Sequence, residues 1–198
     1  MPRGALAAAA AVALAFAGCG SSAHLSGEQA AIYSVDLPEH SFPVHQQLAA
    51  PVELRLAVRN AGSRPIPDVA ATIEMGGGAD GTAVAAFGSN LSDPQLSSHS
   101  RPVWIVDAGP SDGDTAYANT WTLGPVAPGR TRVFVWRVVP VRSGSYTVRY
   151  KLTGSLTGRS QLRLADGSAP HGSFTVHVSG KAATVRVTPD GRIESVPQ

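Results

Sequence analysis

The chain has 198 residues, 43% hydrophobic and 15% charged, with 21 glycines, 15 prolines and one cysteine. That length suffices for one domain with a real apolar core, and a single cysteine excludes a disulfide framework. The formal charge is +2, so net charge points to no polyanionic partner, and no basic cluster with interleaved aromatics marks a nucleic-acid binder.

The N-terminus has a basic start (Met1, Arg3), an apolar run from Ala5 to Ala17, and small residues before Cys19. At about 13 residues the run is short of the ~18–20 that span a bilayer, so it reads as a processed export signal. Phe16-Ala17-Gly18-Cys19 resembles the lipobox of bacterial lipoproteins, with Phe16 where that family usually has Leu. The resemblance implies that residues 1–18 are removed and that Cys19 carries a diacylglyceryl thioether. The protein would then sit on the exported face of the cell membrane. One acyl chain holds only marginally at ~0.8 kcal/mol per buried methylene, whereas two anchor stably. Ala15-Phe16-Ala17 is also an A-x-A site. A plain secretory cut there is the alternative, and it would leave Cys19 an odd free thiol in an exported chain. Residues 19–30 are small and polar and read as a flexible tether.

From residue 31 the pattern has period two. Weaker strand signals lie at 31–36 and 41–46. Val52, Leu54, Leu56 and Val58 then alternate with Glu53, Arg55, Ala57 and Arg59, as a half-buried strand requires. Another weak signal covers 66–74. Residues 75–100 break the rhythm; a loop this long is functional or disordered, and its composition reads as a disordered insert, part of which can fold back through Val84, Phe87 and Leu91. Val103-Trp104-Ile105-Val106 and Val133-Phe134-Val135-Trp136 are apolar on both faces and predict central strands covered on both sides. Between them 116–122 is a weak signal. Tyr146, Val148, Tyr150 and Leu152 alternate with polar neighbours; 160–165 is weak again; Phe174, Val176 and Val178 oppose Thr175 and His177. Val185 and Val187 with 192–196 predict a C-terminal hairpin. Turn chemistry separates these runs, as at Ser143-Gly144, Asp166-Gly167 and Pro189-Asp190-Gly191. The sum predicts an all-β antiparallel sandwich as a single domain over residues 31–198.

Three features in order resemble the immunoglobulin-like cell-adhesion-related bacterial domain. They are Asn60-Ala61-Gly62 closing a strand, Leu123-Gly124 with Ala127-Pro128-Gly129 leading into the Phe134/Trp136 strand, and Gly144-Ser145-Tyr146 opening the next. The resemblance covers roughly residues 45–155 and implies structural roles for Asn60, Gly62, Gly129, Trp136, Gly144 and Tyr146. The last fits a tyrosine corner, but Val148 stands where antibody-type domains have cysteine, so no inter-sheet disulfide is expected. Such modules act mostly as spacers or binding surfaces.

Residues 19–100 carry three arginines against eight acids, and residues 101–198 carry twelve basic against six acidic residues. The basic half could face an anionic lipid or polysaccharide, but its arginines alternate with apolar residues, as the solvent side of strands does.

Catalytic signals are missing. There is no Gly-x-Ser-x-Gly elbow, and His24, His40, His45, His99, His171 and His177 are scattered without metal-ligand spacing. No cofactor and no enzymatic activity are expected. Asp107, Asp112 and Asp114 share one loop and are candidates for calcium, without the EF-hand order. Trp104, Trp121 and Trp136 could offer a sugar platform, though each lies in or beside an apolar run, as core residues do. The sequence thus predicts a membrane-anchored exported lipoprotein. Its sandwich would be a non-enzymatic module that binds or spaces an envelope protein or polysaccharide. The alternative is a carbohydrate- or calcium-binding module using loops 75–100 and 107–116.

Overall fold

The computed structural model describes residues 30–76, 84–88, 102–110, 114–117 and 119–196. The signal, Cys19, the tether up to residue 29, most of loop 75–100, and Asp112 lie outside them. In chain order the strands are β1 Ala31–Ser41, β2 His45–Leu48, β3 Val52–Asn60, β4 Ala70–Met75, β5 Val84–Ala85, β6 Phe87–Gly88, β7 Trp104–Ala108, β8 Asp114–Tyr117 and β9 Thr120–Thr122. They continue with β10 Thr131–Pro140, β11 Gly144–Thr153, β12 Ser160–Arg163, β13 His171–Ala182, β14 Val185–Val187 and β15 Ile193–Ser195.

Two sheets form the layers. The first runs β12-β1-β3-β10-β7-β6 and the second β2-β13-β11-β4-β9-β8, with β5 also on β4; β14 and β15 make a separate hairpin. Alternation explains the layers. Leu54, Leu56 and Val58 of β3 point inward with Phe134 and Trp136 of β10. They meet Ile73, Val148, Tyr150, Leu152 and Val176 of the second sheet in one continuous buried cluster. Each such side chain contributes about 1.5–3 kcal/mol on full burial, and with no inter-sheet disulfide these aliphatic and aromatic contacts are what join the layers.

The sheets are mixed, not purely antiparallel. β1 pairs in parallel with β12, β2 with β13, and β6 with β7. The cause is strand switching: after Ser41 the chain leaves the first sheet and enters the second at His45, so β2 arrives beside β13 running the same way. Periodicity fixes which face of a strand is buried, but not its partner or direction.

Other differences have local causes. The stretch 31–41 is one strand, continuing through a bulge between Asp36 and Glu39. Pro38 sits within that irregularity, where its missing N–H breaks no ladder bond. β10 is central in its sheet, but only its inner face is covered at first; Val133 is 36% exposed, and burial on both faces begins at Val138 and Val139. In β7 the adjacent residues Trp104 and Ile105 are both buried, as expected of a covered strand. Val187 of the C-terminal hairpin is 69% exposed, so β14 lacks the covered face its alternation suggested. Within the long loop, Ala86 and Phe87 enter the core, and β5 and β6 attach one to each sheet.

Candidate functional site

Asn60, at the end of β3, is fully buried and fully bonded. Its Nδ2 donates to the carbonyls of Arg64 (2.8 Å) and Val126 (2.9 Å), and its Oδ1 accepts from the Gly62 amide (2.9 Å). Its backbone amide donates to the Arg130 carbonyl and its carbonyl accepts from the Gly129 amide. Gly129 has φ 70°, a conformation that disfavours any side chain. The first two features singled out in the sequence therefore meet at one end of the sandwich.

The third lies at the other end. Tyr146 Oη donates to the Ser143 carbonyl at 2.7 Å, in an exposed setting. Gly144 has φ 141°, and a Cβ there would meet the Tyr146 hydroxyl at 3.0 Å. All three tryptophans are core residues: Trp104 and Trp136 are 0% exposed and Trp121 6%. Trp104 Nε1 donates to Gln46 Oε1 at 2.7 Å, and Gln46 Nε2 donates to the Pro43 carbonyl. Trp136 stacks on Phe134 with ring centres 5.3 Å apart and meets Trp121 edge-on at 5.4 Å. None of these rings can serve as a sugar platform.

Asp107 is an ion-pair partner, not an open ligand. Its Oδ2 lies 2.8 Å from Arg137 Nε. Asp114 opens β8, and Asp112 lies outside the described residues. Among the described residues no three His, Cys, Asp or Glu side chains gather as a metal site.

The structure instead brings together residues that the sequence left scattered. Where the chain crosses from β1 to β2, a shallow depression of about 750 Å³ opens between the two sheets. His40 to Val44 form one wall, Glu53 and Arg55 of β3 another, and Ser173 and Phe174 of β13 the third. The aromatic side is layered: Phe174 stacks on Tyr150 with centres 5.5 Å apart, Phe42 meets Phe174 edge-on at 6.1 Å, and His40 lies 6.4 Å from Tyr150. The Tyr150 ring lies over Gly172, where a Cβ would come within 2.6 Å of its hydroxyl, and burial pushes its phenol pKa up. The polar side is a bridge. Arg55 Nε donates to Glu39 Oε1 at 2.8 Å, and Arg55 Nη1 to Glu53 Oε2 at 3.3 Å. The bond to Glu39, then its charge, hold the guanidinium pKa above its ordinary value. Phe42 and Tyr150 are themselves buried, so the ring open to a ligand is the partly buried Phe174, backed by them; one such ring beside fixed donors and acceptors can take an amphipathic ligand, apolar on one face and hydroxylated at the rim.

A second depression, of about 380 Å³, lies among Pro51, Val52, Glu53, Arg137 and Glu194, where the C-terminal hairpin comes near the start of β3. On the outer face of the second sheet, His45 and His177 stack with centres 5.9 Å apart. His171 Nδ1 lies 2.8 Å from the Ala169 carbonyl.

No family model matches the chain, and no curated protein matches it. Among solved structures it is similar to the CARDB domain of the PF1109 protein from Pyrococcus furiosus, at 14% identity and TM-score 0.45, covering 79% of this chain and 97% of that one. It is also similar to alpha-2-macroglobulin from Escherichia coli, from domain MG7 to the C-terminus, at 13% identity and TM-score 0.43, covering 83% of this chain and 21% of that one. The C-terminal domain of wzt is similar at 16% identity and TM-score 0.41, covering 78% and 77% of the two chains.

Proposed function

We propose that this chain is an exported lipoprotein, anchored through Cys19, whose immunoglobulin-like sandwich is a non-enzymatic module of the cell envelope that binds polysaccharide. The observation that carries the binding reading is the depression at the β1–β2 crossing, with the partly buried Phe174 at its floor edge and the Glu39–Arg55–Glu53 bridge at its rim. Sugars present an apolar face to a ring and hydroxyls to charged groups, and this surface offers both. The leader and the small polar stretch after it support the anchor.

Two experiments test the reading. In the first, envelope polysaccharide fragments are titrated into the labelled domain and amide shifts are mapped. Shifts centred on 40–44, 53–55 and 173–174, lost in Phe174→Ala, are expected; a null titration with folded protein removes the groove as a binding site. In the second, intact mass and membrane partition are compared for wild type and Cys19→Ala. A lipid-sized increment with release on substitution supports anchoring. An unmodified soluble mass beginning at Gly18 replaces it with secretion.

A further inference from the structure

The outer face of the second sheet carries a row of three side chains contributed by three strands. Ser145 of β11 faces His177 of β13, and His177 faces His45 of β2. The two histidines are 132 positions apart in sequence and in register on adjacent parallel strands, where neighbouring backbones lie about 4.8 Å apart. Both are exposed. Their ring centres are 5.9 Å apart with planes inclined by 24°.

That spacing is within chelation range. A metal about 2.0–2.1 Å from an imidazole nitrogen lies about 3.2 Å from the ring centre, so two rings share an ion at a separation of about 5.2 Å for a tetrahedral angle and about 6.4 Å for a linear one, a range that brackets the observed 5.9 Å. Chelation needs rotation of the exposed His45 ring, on the edge strand β2, toward His177. The third residue supplies orientation. Ser145 Oγ lies 2.8 Å from His177 Nδ1. With the Nδ1–H donating to that hydroxyl, Nε2 presents a lone pair outward, the arrangement in which the far nitrogen of a metal-binding histidine is fixed by a hydrogen bond. The residues flanking the pair on the same face, Thr175, Ser179 and Gln47, are uncharged, and the cations of these strands, Arg149 and Lys181, are four residues along from Ser145 and His177.

We propose that His45 and His177 form a surface site for a divalent transition-metal ion of the imidazole-preferring class, Zn²⁺, Cu²⁺ or Ni²⁺, with Ser145 as the residue that positions His177. Two imidazoles leave the remaining coordination positions to water or to a donor from a ligand. Affinity follows the order Ni²⁺ below Cu²⁺ above Zn²⁺. This site is separate from the groove and does not depend on the polysaccharide reading.

The test is calorimetric titration of the domain with ZnCl₂, NiCl₂ and CuCl₂ in a non-chelating buffer, alongside imidazole NMR spectra. One ion per chain is expected, with Cu²⁺ bound most tightly and ring signals of His45 and His177 perturbed first. His45→Gln and His177→Gln should each weaken binding at least tenfold, and Ser145→Ala by about 10–100-fold. His171→Gln, at the far end of β13, should leave it unchanged. All four positions are exposed, and an unchanged thermal midpoint confirms the fold of each variant. Equal affinity in wild type and His177→Gln, or equal loss in His171→Gln, overturns the proposal.

Discussion

Replacing Asn60 should do more damage than its place beside a turn suggests. Its side chain makes three hydrogen bonds at 2.8–2.9 Å, tying the end of β3 to Arg64, Gly62 and Val126. Each net bond is worth about 1 kcal/mol, and a partner left buried without water costs about 1–3. The Val126 carbonyl still accepts from the Ile66 amide, which limits the loss there. Asn60→Ala should therefore cost about 2–4 kcal/mol, a fall in melting temperature of roughly 5–15 °C for a domain of this size. Asn60→Asp is the sharper probe, being nearly isosteric. It places a carboxylate oxygen against two carbonyls, so the folded-state pKa of the new acid must lie above its unfolded value of about 3.9. The folded state then holds the proton more tightly. Its relative stability is greatest below about pH 4 and is lost as pH rises through the folded pKa. Urea denaturation at pH 7 and pH 4 should show Asn60→Asp worse than Asn60→Ala at neutral pH, with the gap narrowing in acid. An Asn60→Ala midpoint equal to wild type, or an Asp variant as stable as wild type at pH 7, would refute the bonding argument.

Other perturbations separate neighbouring effects. Tyr146→Phe removes one exposed bond to the Ser143 carbonyl and should cost about 0.5 kcal/mol, whereas Gly144→Ala forces a side chain into a φ of 141° and against the tyrosine ring, costing about 1–3 kcal/mol. The reverse order in chemical denaturation would mean the ring does not rest on Gly144. Gln46→Leu leaves the Trp104 N–H buried without its acceptor, and a loss of about 1–3 kcal/mol should appear as a lower urea midpoint with unchanged slope. Asp166 is held below the usual carboxylate range by the hydroxyl and then the amide of Ser168. Its share of stability is present above about pH 3.9 and lost as pH falls through the folded pKa. Side-chain NMR titration should find the Asp166 pKa higher in Ser168→Ala; an unmoved value would show that the hydroxyl contributes nothing.

Alternation in β3, β11 and β13 made the inward faces legible, because a strand with one covered face must repeat every second residue. What the residues could not announce is partnership. His45 and His177 each look like a solvent-side residue, and only the parallel pairing of β2 with β13 makes them a pair. Phe42, in the β1–β2 connection, and Phe174, of β13, likewise come from distant parts of the chain, so their groove has no local signature. Asn60 read as turn chemistry, yet its work is done by bonds reaching across to Val126. Trp104, Trp121 and Trp136 were the easier cases, since an aromatic inside an apolar run has few places to go but inward. The Asp107 loop shows the same limit: nothing local announces that Asp107 pairs with Arg137 of the neighbouring strand β10.

β1 is gripped on both edges, by β12 at residues 31–34 and by β3 from residue 35 to 41. It enters at the Asn60 end of the sandwich, while the C-terminal hairpin lies at the opposite end beside Pro51 and Val52. Tension between the two ends of the domain therefore runs along the strand axis. The ladders of β1 are loaded in shear, so their hydrogen bonds resist together instead of opening one at a time like a zipper. A domain wired this way yields at high force and slowly, its lifetime under pull set by the unfolding barrier and not by the equilibrium stability. Pulled between these two ends, the sandwich is loaded in the direction in which it is hardest to tear.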